Sequence, residues 1–130
     1  MKTIGIDLGG HTIAAALVAT ESGALPRIER KISNETPEGR SVRDVMAMMA
    51  SLVAKLSEGQ TVSGVGVAVP GMVDADRRHA RRLPNFPVAE WDDLDVPEAL
   101  ENAMATGGMK LPVKIENDAN CYALGEGSAG

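Results

Sequence analysis

Val113-Lys114-Ile115-Glu116-Asn117-Asp118-Ala119-Asn120 reads as an apolar strand that stops on an Asn-Asp pair and turns at once into a helix, to about Glu126. A strand followed directly by a helix is the unit of a parallel sheet, because the chain needs a crossover before it can pair again in the same direction. The residues upstream repeat the pattern. Asp95 caps a helix running to about Ala105, with Pro97 in its first turn, Glu98 placed for a capping-box contact, and Gly107-Gly108 ending it. Val62 to Val69 is a β-rich run ended by Pro70-Gly71. Before it, Val42, Val45, Met46, Met49, Leu52, Val53 and Leu56 recur at helical spacing from about Ser41 to Ser57, with Ser41 as N-cap and Asp44 able to return a bond. The first third is different. Residues 3–7 read as a buried strand, Ile13 to Val18 as an alanine-rich second strand, and Ile28 to Ile32 as a half-exposed third, all joined by short turns in an antiparallel meander. The order β-β-β-α-β-α-β-α makes this an α/β domain with a mixed five-stranded sheet. The stretch from Met72 to Asp93 reads as irregular and polar, and there is no internal repeat, low-complexity segment or linker.

Composition narrows the classes. The 130 residues make one domain's worth of chain, and 44% hydrophobic content fits a soluble globular core. No apolar run approaches the roughly 18 residues of a membrane span. Met1-Lys2-Thr3-Ile4 enters a strand at once without a signal-peptide pattern, so the cytoplasm is the expected compartment. Cys121 is the single cysteine, which excludes an intrachain disulfide and a cysteine-rich zinc site. A net charge of −5 and only three aromatic residues (Phe86, Trp91, Tyr122) speak against nucleic acid and membrane surfaces as partners.

Two segments carry the chemistry. In Ile4-Gly5-Ile6-Asp7-Leu8-Gly9-Gly10 the glycines follow an aspartate at a strand end. Such glycines let a phosphate approach main-chain N–H groups, with Asp7 beside it to hold Mg²⁺; the plain alternative is a hairpin turn with an exposed aspartate. No Gly-Lys-Ser/Thr follows, so this is not a Walker loop. Asn117 and Asp118 lie where strand meets helix. Asp118 suits a helix cap or a general base for a hydroxyl undergoing phosphoryl transfer, and the Asn117 amide suits vicinal sugar hydroxyls. Pro70-Gly71 opens a second loop at the same sheet edge, where open α/β sheets bind ligands. Asn85, between Pro84 and Pro87, is either a turn residue or an amide held toward that crevice. Arg77, Arg78, His79, Arg81 and Arg82 form a basic cluster that reads as a solvated loop, or as a flap contacting an anion or a subunit. The methionines at 46, 48, 49 and 104 read as core filler, and His11 and His79 have no metal-ligand spacing.

Taken together, these segments resemble the ROK family of bacterial sugar kinases and repressors, within the actin–hexokinase–Hsp70 superfamily. Ile4 to Ile13 is similar to the family's first phosphate motif; Gly64 to Asp74 to its central strand and sugar loop; Pro84-Asn85-Phe86-Pro87 through Trp91 to its Pro-Asn…Trp segment; and Glu116 to Glu126 to its sugar-binding and catalytic segment. The resemblance covers the whole chain but only the N-terminal half of such a protein. It implies an actin-like, ribonuclease H-like lobe: residues 1–130 as one lobe of a two-lobe hexose kinase, the other lying beyond this chain.

The resemblance further implies Asp118 as the base, Gly71, Asn85 and Asn117 as sugar-binding residues, and Asp7, Gly9, Gly10 and Thr12 around ATP and Mg²⁺, with Asp7 as the metal ligand. A hexose or N-acetylhexosamine substrate, a homodimer, and a zinc site only in the absent C-terminal lobe belong to the same expectation, as does negligible turnover by this lobe alone. Two departures stand out. His11 replaces the Thr common in the family, setting a bulky titratable ring beside the phosphates. The second glycine-rich loop and the adenosine-binding segment fall past position 130. Two other readings are a sugar-sensing ROK transcriptional regulator fragment, for which no helix-turn-helix precedes the first motif, and an actin-like ATPase without a sugar substrate.

Overall fold

Alternating apolar residues at one end of the chain and helical periodicity at the other settle into two layers. A computed structural model of the protein describes residues 1–117. In chain order the elements are β1 (Lys2–Leu8), β2 (Thr12–Ala19), β3 (Arg27–Glu35), α1 (Val42–Ser57), β4 (Val65–Val69), β5 (Met72–Val73), β6 (His79–Arg81), α2 (Val88–Trp91), β7 (Leu94–Asp95), α3 (Val96–Thr106) and β8 (Val113–Asn117). Five strands form one mixed sheet in the order β3-β2-β1-β4-β8. β1–β2 and β2–β3 are antiparallel, whereas β1–β4 and β4–β8 are parallel. The expected meander and both crossovers are therefore present. The helix expected from Asp118 lies outside the described residues.

Period-two alternation sorts each strand by face. Ile4, Ile6 and Leu8 of β1 lie level with Leu17, Ala15 and Ile13 of β2, while Ile4 and Ile6 also face Val65 and Val67 of β4. Val113 and Ile115 extend this row into β8. All are buried, in one core with Val45, Met49, Leu52 and Leu56 of α1 and Leu100 and Met104 of α3. The opposite face carries mainly small side chains, among them Gly5, Ala14, Ala16, Gly66 and Ala68. Met46, Met49 and Met104 are core residues as expected, and Met48 is partly buried against them.

Both crossover helices start at the caps expected of them. The Ser41 hydroxyl accepts from the Asp44 N–H at 3.1 Å, and Asp95 accepts from the Glu98 N–H at 3.0 Å. Lys55 sits in the last turn of α1, where a cation suits the helix dipole.

The segment from Met72 to Asp93 is where the expectation fails. It contains β5, β6 and the short α2, and β5-β6-β7 form a second, three-stranded antiparallel sheet. The strands are two or three residues long, too short to show a period, and ion pairs between neighbouring segments, Arg81 with Asp74 and Arg78 with Asp95, support them. Strand limits also shift: β4 begins at Val65, and β3 continues to Glu35 because its pairing with β2 persists to Thr12↔Glu35. Among the described residues, no helix is long and apolar enough to cross a membrane.

Leu52 is fully buried between helix and sheet, so Leu52→Ala is expected to cost about 2–5 kcal/mol. Ser41→Ala removes only a cap and should cost about 1 kcal/mol. Urea unfolding of the two variants checks the ranking; equal losses would contradict the core placement of α1.

Candidate active site at the strand ends

Parallel strands deliver their C-terminal ends to one edge. Asp7 of β1 pairs with Ala68 of β4, Ala68 with Glu116 of β8, and Val69 with Asn117. With strands about 4.8 Å apart, Asp7 and Asn117 stand roughly 10 Å from one another across β4. The loop after β1, the Pro70-Gly71 loop after β4 and the end of β8 therefore open on the same crevice.

The first loop is held from behind. The Gly9 N–H closes the turn onto the Thr12 carbonyl at 3.1 Å. The Thr36 hydroxyl donates to the Gly9 carbonyl at 2.7 Å, Arg40 Nε donates to the Gly10 carbonyl at 2.6 Å, and the Thr36 N–H donates to the His11 carbonyl at 2.9 Å. Three consecutive carbonyls are thus engaged by the segment between β3 and α1. The N–H groups of Gly10 and His11 have no acceptor among the described residues, and consecutive N–H groups of this kind make a concavity for an anion. Gly9 must lack a side chain, since a Cβ there would lie 2.5 Å from the Thr12 carbonyl oxygen. The exposed Asp7 carboxylate takes no hydrogen bond from a described residue. Its oxygens and the free N–H groups fit a phosphate chain with Mg²⁺.

Asn85 is brought against this loop. A Cβ on Gly10 would meet the Asn85 Cβ at 3.2 Å, so the glycine permits the approach. Asn85 has φ of 69°, a left-handed conformation that Asn tolerates better than most residues. Phe86 and Trp91 anchor the segment from below, both buried, their rings 4.9 Å apart in an edge-on arrangement. Gly71 has a packing reason as well as the substrate role implied by the resemblance: a Cβ there would lie 2.3 Å from the Arg81 carbonyl oxygen.

The basic cluster turns out to be largely paired. Arg77 bonds Glu116, Arg78 bonds Asp95 at 3.0 Å, and Arg81 bonds both Asp74 and Asp93 at 3.1 Å. His79 Nδ1 lies 2.5 Å from an Asp76 oxygen. The β5–β6 hairpin is therefore a neutralised strap whose tip reaches β8 beside Asn117. Asp74, Asp76 and His79 offer oxygen and nitrogen atoms within 4.8 Å of one another, but the ion pairs already occupy them. Asp76 is held down to about 2, first by the Arg78 N–H and then by His79, and the bond to Asp76 raises His79 above 6.5.

Of the residues singled out in the sequence, the structure brings Asp7, Gly9, Gly10, Thr12, Gly71, Asn85 and Asn117 to this edge. Asp118 and Cys121 lie outside the described residues. Sequence reading missed Thr36, Arg40 and Glu90, whose carboxylate accepts from the Val42 N–H at 3.0 Å. Their partners are backbone atoms distant in sequence, for which no motif exists.

These features define an α/β fold with a mixed sheet whose parallel strands end on one candidate ligand edge. The ROK family profile matches residues 3–130, and the chain belongs to that family. A glucokinase from Thermotoga maritima is 35% identical over 126 residues, which cover 97% of this chain and 36% of the relative. The crystal structure of a ROK family glucokinase from Streptomyces griseus in complex with glucose and AMPPNP superposes with a TM-score of 0.76 at 33% identity, covering 97% of this chain and 36% of that one. The xylose repressor of Bacillus subtilis is 26% identical over 126 residues, covering 95% of this chain and 30% of the repressor. The chain thus spans about a third of the length of the curated relatives it matches, and its fold is that of the actin-like ATPases.

The Asp76–His79 pair has a definite pH signature. A raised His79 contributes fully below the ordinary imidazole value of 6.5 and loses its contribution as pH climbs through the raised value. A lowered Asp76 contributes above the ordinary 3.8 and loses it as pH falls toward about 2. The His79 ring is expected to titrate above 6.5 by NMR, and Asp76→Asn should bring it back down; an unchanged midpoint would remove Asp76 as the cause.

Proposed function

We propose that the chain is the N-terminal lobe of an ATP-dependent hexose kinase, with its sugar between the Asn85 and Asn117 amides and its phosphates on the Gly9–His11 loop. The observation that carries this reading is the contact of Asn85 with Gly10: a sugar-type amide and a phosphate-type loop meet at one edge, with Asn117 two strands away. The kinase relatives and the glucose–AMPPNP complex support it.

In this reading the Gly10 and His11 N–H groups would hold phosphate oxygens, and Asp7 would hold the Mg²⁺ that balances the phosphate charge. Bound Mg·ATP supplies the γ-phosphoryl group. Asn85 and Asn117 orient the sugar, each amide pairing a donor and an acceptor with adjacent hydroxyls. Asp118 takes the proton of the acceptor hydroxyl as its oxygen bonds the γ-phosphorus and ADP departs. Closure of a second lobe excludes water from this edge, so the isolated lobe should turn over negligibly.

The similarity to the xylose repressor favours a second reading, in which the same sugar edge serves a regulator and DNA is bound by residues outside this chain.

Assay of the intact two-lobe protein separates the readings. Sugar-dependent ADP release is expected, and Asp118→Asn should lower kcat by about 10²–10⁴ with a much smaller change in sugar KM. Sugar binding without turnover would favour the regulator, and ATP hydrolysis indifferent to sugar would favour an actin-like ATPase.

A further inference from the structure

We infer that Arg40 is a positioning residue that locks the phosphate-contacting loop to the sugar-contacting segment; this rests on the functional reading above. Arg40 is half-buried between the two. Its Nε donates to the Gly10 carbonyl at 2.6 Å, and its own carbonyl accepts from the buried Trp91 indole N–H at 2.7 Å. Gly10 in turn lies against Asn85, six residues before Trp91. A closed circuit results: Gly10 to Arg40, Arg40 to Trp91, Trp91 along the chain to Asn85, and Asn85 back to Gly10.

Two further observations point the same way. Arg40 has φ of 50°, a left-handed backbone that a non-glycine residue adopts at a cost. It is held there by its N–H bond to the Pro37 carbonyl at 3.0 Å and by Trp91. Backbone strain of this kind persists where the surroundings over-determine it, and it clusters at functional sites. The Arg40 bond also satisfies the carbonyl of the Gly10–His11 peptide, whose N–H has no acceptor among the described residues. A guanidinium bond to a carbonyl is charge-assisted and stronger than a neutral one. Arg40 touches neither reacting atom in this arrangement. Its effect is to set the distance between the phosphate cradle and the Asn85 amide.

The test uses the intact kinase with glucose and ATP. Arg40→Ala deletes the bond without adding strain, since both residues carry a Cβ. Arg40→Gly deletes it while relieving the left-handed backbone, so stability is preserved. Both are expected to lower kcat by about ten- to a hundredfold, the range for loss of one charge-assisted bond. The glucose KM should change far less. Arg40→Lys, which keeps a single cationic donor, should recover part of the rate. Arg43→Ala, at a side chain 91% exposed, removes the same charge nearby and should leave the rate unaltered.

A folded Arg40→Gly protein with wild-type kcat would overturn the inference. So would an Arg43→Ala loss as large as that of Arg40→Ala, which would reduce the effect to general charge. A wild-type protein that phosphorylates no sugar would instead fail at the functional reading, before any variant is compared, and would take the inference with it.

Discussion

Parallel pairing of β1 with β4, and of β4 with β8, is the constraint from which the rest follows. Each parallel return requires the chain to cross the sheet, and α1 and α3 are those crossings. Their apolar stripes must then cover the face they cross, which explains why the core cluster lies on that side of the sheet and is built mainly from Ile, Val, Leu and Met. The same pairing sends three loops to one edge. Asp7, Gly71 and Asn117 are neighbours in space because their strands point the same way, although more than a hundred residues separate the first from the last.

What the edge can bind depends on how the first loop is turned. A peptide unit carries a donor and an acceptor pointing in opposite directions, so engaging the carbonyl from behind presents the N–H in front. Thr36 and Arg40 do this for Gly9, Gly10 and His11. The loop is thereby preorganised, and an anion meeting it has little backbone entropy left to remove. The Pro84–Trp91 segment is rigid for another reason: two prolines limit its backbone and two buried aromatic rings fix its underside.

Much of this was legible in the residues. Ser41 and Asp95 announced their helices because a cap is a local contact, three residues long. The core strands were legible because burial imposes a period of two. The β5-β6-β7 sheet was not, since strands of two or three residues carry no period and Arg78, Arg81 and His79 resemble any solvated loop until their carboxylate partners are placed beside them. The candidate site divides in the same way. Glycines and the Asn117 amide stand out by type and position, whereas the Arg40–Gly10 and Trp91–Arg40 bonds join a side chain to a backbone atom across 30 and 51 residues. No spacing rule reaches that far.

The order of the strands in the sheet has a consequence for synthesis. β1 can pair with β2 as soon as the hairpin emerges from the ribosome, but its other edge belongs to β4, and roughly sixty residues separate Leu8 from Val65. At about 5–20 residues per second, the apolar strand Thr3–Leu8 waits several seconds with one row of N–H and C=O groups unpaired. An open edge beside buried-type side chains is a template for another chain. The nascent meander therefore passes through an interval of vulnerability to aggregation that ends only when Val65–Val69 arrives.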